Sequence, residues 1–266
     1  MADELPEFDS PPVIETVLGI QFNSLPGYTT SHAGWFRSRY LGSEWTEIRV
    51  VSSLLDQFEH FDDKRWQVQP SVKLFATPPP DRTQIIRNDH ERMIQIQDTR
   101  FVYNWIKKSS EYPRYSRLLP EFREYFKRFT RFAVNASLGN LIVNQWEVTY
   151  VNHVPKGDLW SVPKGWSGIV RNICVPTITN CAFDGINGEW LFKLEDDNSS
   201  RLRISLQHAR GRPSGPELLR IHLIARGNLK SLDDIVVSLD RGHEAVVRGF
   251  TAITTQKAHK YWRRTR

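Results

Sequence analysis

Apolar and polar side chains first alternate at Val13-Ile-Glu-Thr-Val-Leu-Gly-Ile-Gln-Phe22, a β-branched stretch just past Pro11-Pro12 that predicts a strand ended by Leu25-Pro26-Gly27. Thr30 or Ser31 can cap a helix carrying Trp35, Phe36 and Tyr40, and from there to Leu55 no period is decisive. Trp66 to Phe75 alternates like a strand before the stiff break of Pro78-Pro79-Pro80. The clearest strand pair is Arg82 to Arg87 with Met93 to Gln97, joined through Asn88-Asp89. In Phe101-Val-Tyr-Asn-Trp105 a period of two puts three aromatics on one face, which predicts a core face.

The period then changes. Leu118, Leu119, Phe122, Tyr125, Phe126, Phe129 and Phe132 recur at three and four, the stripe of an amphipathic helix from Tyr115 to Ala136, stopped by Gly139. Gln145 to Val154 is a strong strand, with Glu147, Thr149, Val151 and His153 on one face and Trp146, Val148, Tyr150 and Asn152 on the other. Pro155 to Gly168, rich in Gly, Pro and Trp, reads as an ordered loop. Strands are expected at Cys181-Ala-Phe, Glu189 to Leu194, Leu202 to Gln207 and Leu218 to Ile224, with hairpin loops over Asp196 to Ser200 and Gly211 to Gly215. A last helix is expected from Ser231 to the terminus, with a possible interruption at Gly242.

Strands in series before each long helix predict an α+β fold with antiparallel sheets. The order strand, connection, strands, long helix occurs twice, and Glu15 to Phe22 aligns with Glu147 to Val154. The expectation is therefore two related halves, 1–139 and 140–266, each an antiparallel sheet with a long helix packed on one face.

Composition narrows the function classes. Aromatics make up 12 % of the 266 residues, ample for an ordered core. No run reaches the roughly 18 apolar residues that span a bilayer, and Met1-Ala-Asp-Glu-Leu-Pro-Glu-Phe is acidic where a secretory signal is basic, so no membrane association and a cytoplasmic location are expected. Cys174 and Cys181 are then expected as reduced core residues. The net charge of +6 is modest, but Lys257, Lys260, Arg263, Arg264 and Arg266 concentrate it at the end, where the alternatives are a solvated helix end or a nucleic-acid contact.

Several stretches carry a likeness: Pro12 to Phe22, Ile94 to Lys107, Glu111-Tyr-Pro-Arg-Tyr115, Gln145 to His153, and a late His243-Glu244 followed by Phe250. Together they resemble a sporadically distributed family of uncharacterised bacterial and archaeal proteins of about this length. The family implies no activity; its patchy distribution implies, by association, mobile or defence-related gene neighbourhoods.

The candidate binding residues are Gln95, Gln97, Arg100, Asn104, Tyr112 and Arg114, the densest polar cluster. Amides offer paired donors and acceptors for base edges or peptide backbone, and Arg suits phosphate or carboxylate. Glu147 and His153 join them as a candidate acid/base pair if their face lines a cleft, with Glu15 as a second carboxylate, although six residues along a strand is about 20 Å. His208 and His222 are placed to meet across neighbouring strands, while His243-Glu244 reads as a surface or interface pair. No metal-ligand spacing, phosphate-binding glycine loop or nucleophile elbow occurs, so no metal, cofactor or catalytic residue is assigned. The expectation is a non-enzymatic protein-binding or regulatory subunit, plausibly of a bacterial defence or toxin-control system. The alternatives are a nucleic-acid-binding module using the basic end, and an enzyme or small-ligand pocket between the halves; the partner is another protein first, nucleic acid second, with a homo-oligomer possible.

Overall fold

The computed structural model describes residues 4–54, 81–109, 111–195, 197–211 and 215–266. In chain order they form β1 (Val13–Phe22), α1 (Thr30–Tyr40), β2 (Trp45–Val51), β3 (Arg82–Arg87), β4 (Arg92–Gln97), β5 (Arg100–Ile106), α2 (Tyr115–Asn135), β6 (Val143–Pro155), β7 (Asn187–Leu194), β8 (Asp197–Arg210), β9 (Glu217–Asn228), α3 (Ile235–Ile253) and α4 (Gln256–Tyr261). The nine strands make one antiparallel sheet in the order β2-β3-β4-β5-β1-β6-β9-β8-β7.

This corrects the expectation of two halves with a sheet and a long helix each. β1 pairs with β6 over its whole length, with Val17 opposite Thr149 and Gly19 opposite Glu147. Two separate sheets would have left β1 and β6 each with a row of open N–H and C=O groups; pairing them satisfies both rows at once. The boundary expected at 139/140 falls in the connection between α2 and β6, and the strands on either side of it share the sheet.

All three long helices lie on one face. Phe129 of α2 packs on Phe22 and Phe101, Tyr125 stacks on Tyr103, and Phe36 of α1 meets Phe129 and Phe132. Phe101, Tyr103 and Trp105 are buried as the period of two predicted, and so are Leu118, Phe122, Phe126, Phe129 and Phe132 of the α2 stripe. Each fully buried ring of this size contributes about 1.5–3 kcal/mol.

α3 crosses β6 closely: a Cβ built on Gly242 would sit 2.5 Å from Trp146 Cζ3 and 2.8 Å from Val148 Cγ2. Gly242 therefore does not interrupt the helix as expected; it is the point where helix and sheet touch. The break comes at Thr254-Thr255, where the Thr255 side chain accepts from the Ala258 N–H and starts α4 anew.

Three smaller expectations are also corrected. Cys181-Ala-Phe is not a strand, and Cys174 and Cys181 are free and exposed rather than in the core. Residues 197–200, expected in a hairpin loop, belong to β8 because Ser200 and Arg201 pair with Gly227 and Arg226. The strand expected over Trp66 to Phe75 and the Pro78-Pro79-Pro80 break lie outside the described residues. Among the described residues no helix is long and apolar enough to cross a membrane.

Candidate functional site

The sheet separates the predicted binding residues. Gln95, Gln97, Arg100, Asn104, Glu147 and His153 stand on the face without helices, and Tyr112 and Arg114 on the helix side. The helix-free face is a polar mosaic bonded to itself. Gln84 Nε2 donates to Gln95 Oε1 at 3.1 Å, Gln95 Nε2 to Asn104 Oδ1 at 2.8 Å, and Asn104 Nδ2 to Glu15 Oε1 at 2.7 Å, a chain across four strands. The Gln97 amide pairs with the backbone of Leu54, accepting its N–H at 2.9 Å and donating to its carbonyl at 3.0 Å. Arg100 Nη2 donates to Gln21 Oε1 at 3.3 Å. The amides that suggest recognition of base edges thus already hold intramolecular partners, as buried polar groups must.

Glu147 is held by Arg226 Nε at 2.6 Å and by the Thr149 hydroxyl at 3.0 Å. Burial would raise its carboxyl, but the guanidinium and the hydroxyl hold it below the ordinary value. Glu15, likewise half-buried, is raised by its partial desolvation, with Asn104 and Arg220 opposing. His153 faces Arg220 across the β6–β9 pair, and burial and that guanidinium lower it. His208 and His222 do not meet: His222 pairs with Ser205 and His208 with Leu219, positions of opposite parity whose side chains leave opposite faces of the sheet.

On the helix side, two widely separated stretches converge. Tyr112 and Tyr115 come from Glu111 to Tyr115, just before and at the start of α2, and His243 from α3. The Tyr112 and Tyr150 hydroxyls are 2.7 Å apart, and Tyr150 Oη is 3.0 Å from His243 Nδ1. Tyr115 stacks flat on the His243 ring, centroids 4.0 Å and planes 7° apart, and its hydroxyl donates to Asp240 Oδ1 at 2.9 Å. His243 is therefore packed, not the surface residue its sequence setting suggests; Glu244 beside it is exposed and takes Arg248 Nε at 2.8 Å.

These groups wall an open cavity of about 780 Å³ bordered on its other side by residues 4–8, Pro11, Val13 and Arg266. The N-terminal segment is strapped to the C-terminal one: the Asp9 N–H donates to the Arg263 carbonyl at 3.0 Å and the Thr265 N–H to the Glu7 carbonyl at 2.9 Å. Phe8 packs edge-on against Phe250, His259 and Trp262 beneath. At the rim, Arg114 lies 3.7 Å from Glu7 and 3.8 Å from Asp9, with its backbone in the left-handed region at φ 65°. A non-glycine residue held there stores strain of about 1–3 kcal/mol, which the surrounding contacts must offset.

Burial sets the protonation of this cluster. It pushes the Tyr112 hydroxyl up to about 12 and the Tyr150 hydroxyl well above its ordinary value, and it pulls the His243 imidazole down to about 4. The row Tyr112, Tyr150, His243 is uncharged at neutral pH. If Tyr150 donates to Nδ1, the His243 proton sits on Nε2, for which there is no hydrogen-bond partner among the described residues.

Of the basic end, Arg266 is paired with Glu4 and Glu7, and Arg264 Nε donates to the Arg266 carbonyl. Lys257, Lys260 and Arg263 are exposed. Among the described residues no group of three or more His, Cys, Asp or Glu is placed to hold a metal. No family model, curated protein or solved structure matches the chain.

Sequence reasoning gave Tyr150 and Asp240 no role, read His243 as a surface or interface residue, and placed Tyr115 only in the turn beside Tyr112 and Arg114. A signal existed for two of them. Tyr150 is the one hydroxyl between Val148 and Val154 on the apolar face of β6, and His243 interrupts the Leu239, Val246, Phe250 stripe of α3; each polar tip in an apolar row needs a partner.

Proposed function

We propose that this chain is a non-enzymatic binding protein whose ligand enters the cavity between the N-terminal segment and α3, with Tyr112, Tyr150 and His243 as its recognition groups. The observation that carries the reading is the uncharged Tyr112, Tyr150, His243 row in the wall of a 780 Å³ cavity. A cavity of that size, lined by Phe8, Val13, Leu223, Val246 and Phe250 with a few convergent polar groups, suits a small molecule with an apolar, planar body and a hydrogen-bonding edge. A general acid or base works best with its pKa near the operating pH. Here burial drives the hydroxyls up and the imidazole down, away from neutrality, so the row supplies fixed hydrogen bonds rather than proton transfer. The nucleic-acid alternative has weaker support, since Glu4 and Glu7 neutralise Arg266.

The experiment is a thermal-shift screen with uncharged aromatic and heteroaromatic compounds. A ligand at a hundred times its Kd stabilises by about 2.7 kcal/mol, a rise of roughly 5–10 °C in a chain of this size. Tyr150→Phe and His243→Phe should abolish the rise measured against each variant's own melting temperature. Hits that raise these variants as much as wild type, or no hits at all, would refute the assignment.

A further inference from the structure

The sheet ends on two edges, β2 and β7. We propose that β7 is a self-association edge, at which two copies of this chain pair antiparallel about Leu191 and continue the sheet from one protomer into the other.

Three observations carry this. First, β7 is open. It is bonded to β8 on one side, and among the described residues no strand pairs with its other side; Asn187, Gly188, Glu189, Leu191, Phe192 and Lys193 are all exposed. Leu191 and Phe192 expose 40 % and 45 % of their surfaces, adjacent residues on opposite faces of one strand. Second, the usual protections are thin. The strand has no proline, its irregularity with β8 comes only at its last step, between Lys193 and Leu194, and among the described residues no helix covers it. A long apolar edge left so is an invitation to another strand.

Third, the sequence is complementary to itself read backwards. With Leu191 on the two-fold axis, Glu189 falls opposite the second copy's Lys193, and Trp190 opposite its Phe192, each pair formed twice. The faces agree: Glu189, Leu191 and Lys193 lie on the helix-free side, Trp190 and Phe192 on the helix side, where Trp190 already packs against the core. Directly opposed residues on one face are the pairs that stabilise an antiparallel ladder. Slipping one strand by one residue puts Glu189 opposite Phe192 and Lys193 opposite Gly188; moving the axis to Phe192 opposes Glu189 to Glu195. Of these three registers only the one centred on Leu191 joins opposite charges. Such a pattern suits a second copy better than an unrelated strand. At the other edge, Glu47 of β2 is engaged with Arg49 of the same strand and lies 3.6 Å from His90; in β7 Glu189 takes Arg203 Nη1 at 2.9 Å, while Lys193 has no ion-pair partner among the described residues.

Sedimentation velocity on the full chain tests this, using Glu189→Lys and Lys193→Glu. Each substitution puts like charges opposite each other twice and should weaken self-association roughly tenfold or more. An equimolar mixture of the two variants restores opposite charges at every pair and should form a one-to-one heterodimer. Glu189→Lys also loses the bond from Arg203 Nη1 at 2.9 Å, whereas Lys193→Glu keeps it, so melting curves of both variants separate loss of pairing from loss of folding. Rescue on mixing cannot come from misfolded chains. A wild-type chain that stays monomeric at high micromolar concentration overturns the proposal, and so does a dimer that neither substitution weakens.

Discussion

Replacing Gly242 with alanine sets two effects of known sign against each other. Alanine is favoured over glycine inside a helix by about 1 kcal/mol, and Gly242 lies within α3, so propensity alone predicts a more stable protein. The added methyl, however, would lie 2.5 Å from Trp146 Cζ3, 3.2 Å from Trp146 Cε3 and 2.8 Å from Val148 Cγ2. Trp146 and Val148 are buried on a central strand, so neither can swing into solvent. Overpacking of this kind costs about 1–3 kcal/mol, and two contacts below 3 Å against rigid groups put it at the upper end. The net expectation is a loss of about 2 kcal/mol, or a melting temperature lower by roughly 4–8 °C. Because His243 is the next residue, any lift of α3 also draws the imidazole from Tyr150 and should weaken ligand binding. Gly249→Ala is the control: its methyl meets the far end of a flexible side chain, Leu202 Cδ2, at 2.6 Å, so the helix gain should prevail and stability should hold or rise. Urea denaturation of both variants measures the difference. A Gly242→Ala protein as stable as wild type would refute the claim that this residue sets the helix-to-sheet distance.

Phe129→Ala should cost about 3–5 kcal/mol, since the ring is wholly buried between Phe22, Phe36 and Phe101; an unchanged melting temperature would mean the α2 stripe does not hold the core. Stability should also fall as pH drops from about 6.5 towards 4. Burial lowers His243 to about 4, and burial with Arg220 lowers His222 to about 4, so across that window the unfolded chain binds protons that the folded chain refuses. Urea midpoints measured through this range should decline, less steeply in His243→Phe, and midpoints independent of pH would contradict the half-buried neutral imidazoles.

Local pattern announced much of this molecule. Period two marked β1, β3 to β6, β8 and β9, and period three-to-four marked α2, because each element buries one face and the chain must repeat apolar residues at its own pitch to do so. The two faces of β6 were readable as well: Trp146, Val148 and Tyr150 meet the helices while Glu147 and His153 stand opposite. What periodicity does not carry is which strand lies beside which. Nothing in Val13 to Phe22 or Gln145 to Val154 says that they pair, because backbone hydrogen bonds are the same for every residue but proline; so two sheets were expected where one exists.

The same reason hid the cavity. Tyr112, Tyr150 and His243 are separated by 38 and 93 residues and touch only because β1, between β5 and β6, joins the two into one sheet and α3 then folds back over β6. Their shifted proton affinities come from burial, a property of the assembled core and not of any segment. Gly242 shows the division at a single residue. To the sequence it was a possible break in a helix, since glycine is a poor helix former; in the fold it is the absence of a side chain that matters, because the Trp146 ring occupies the space a methyl would need.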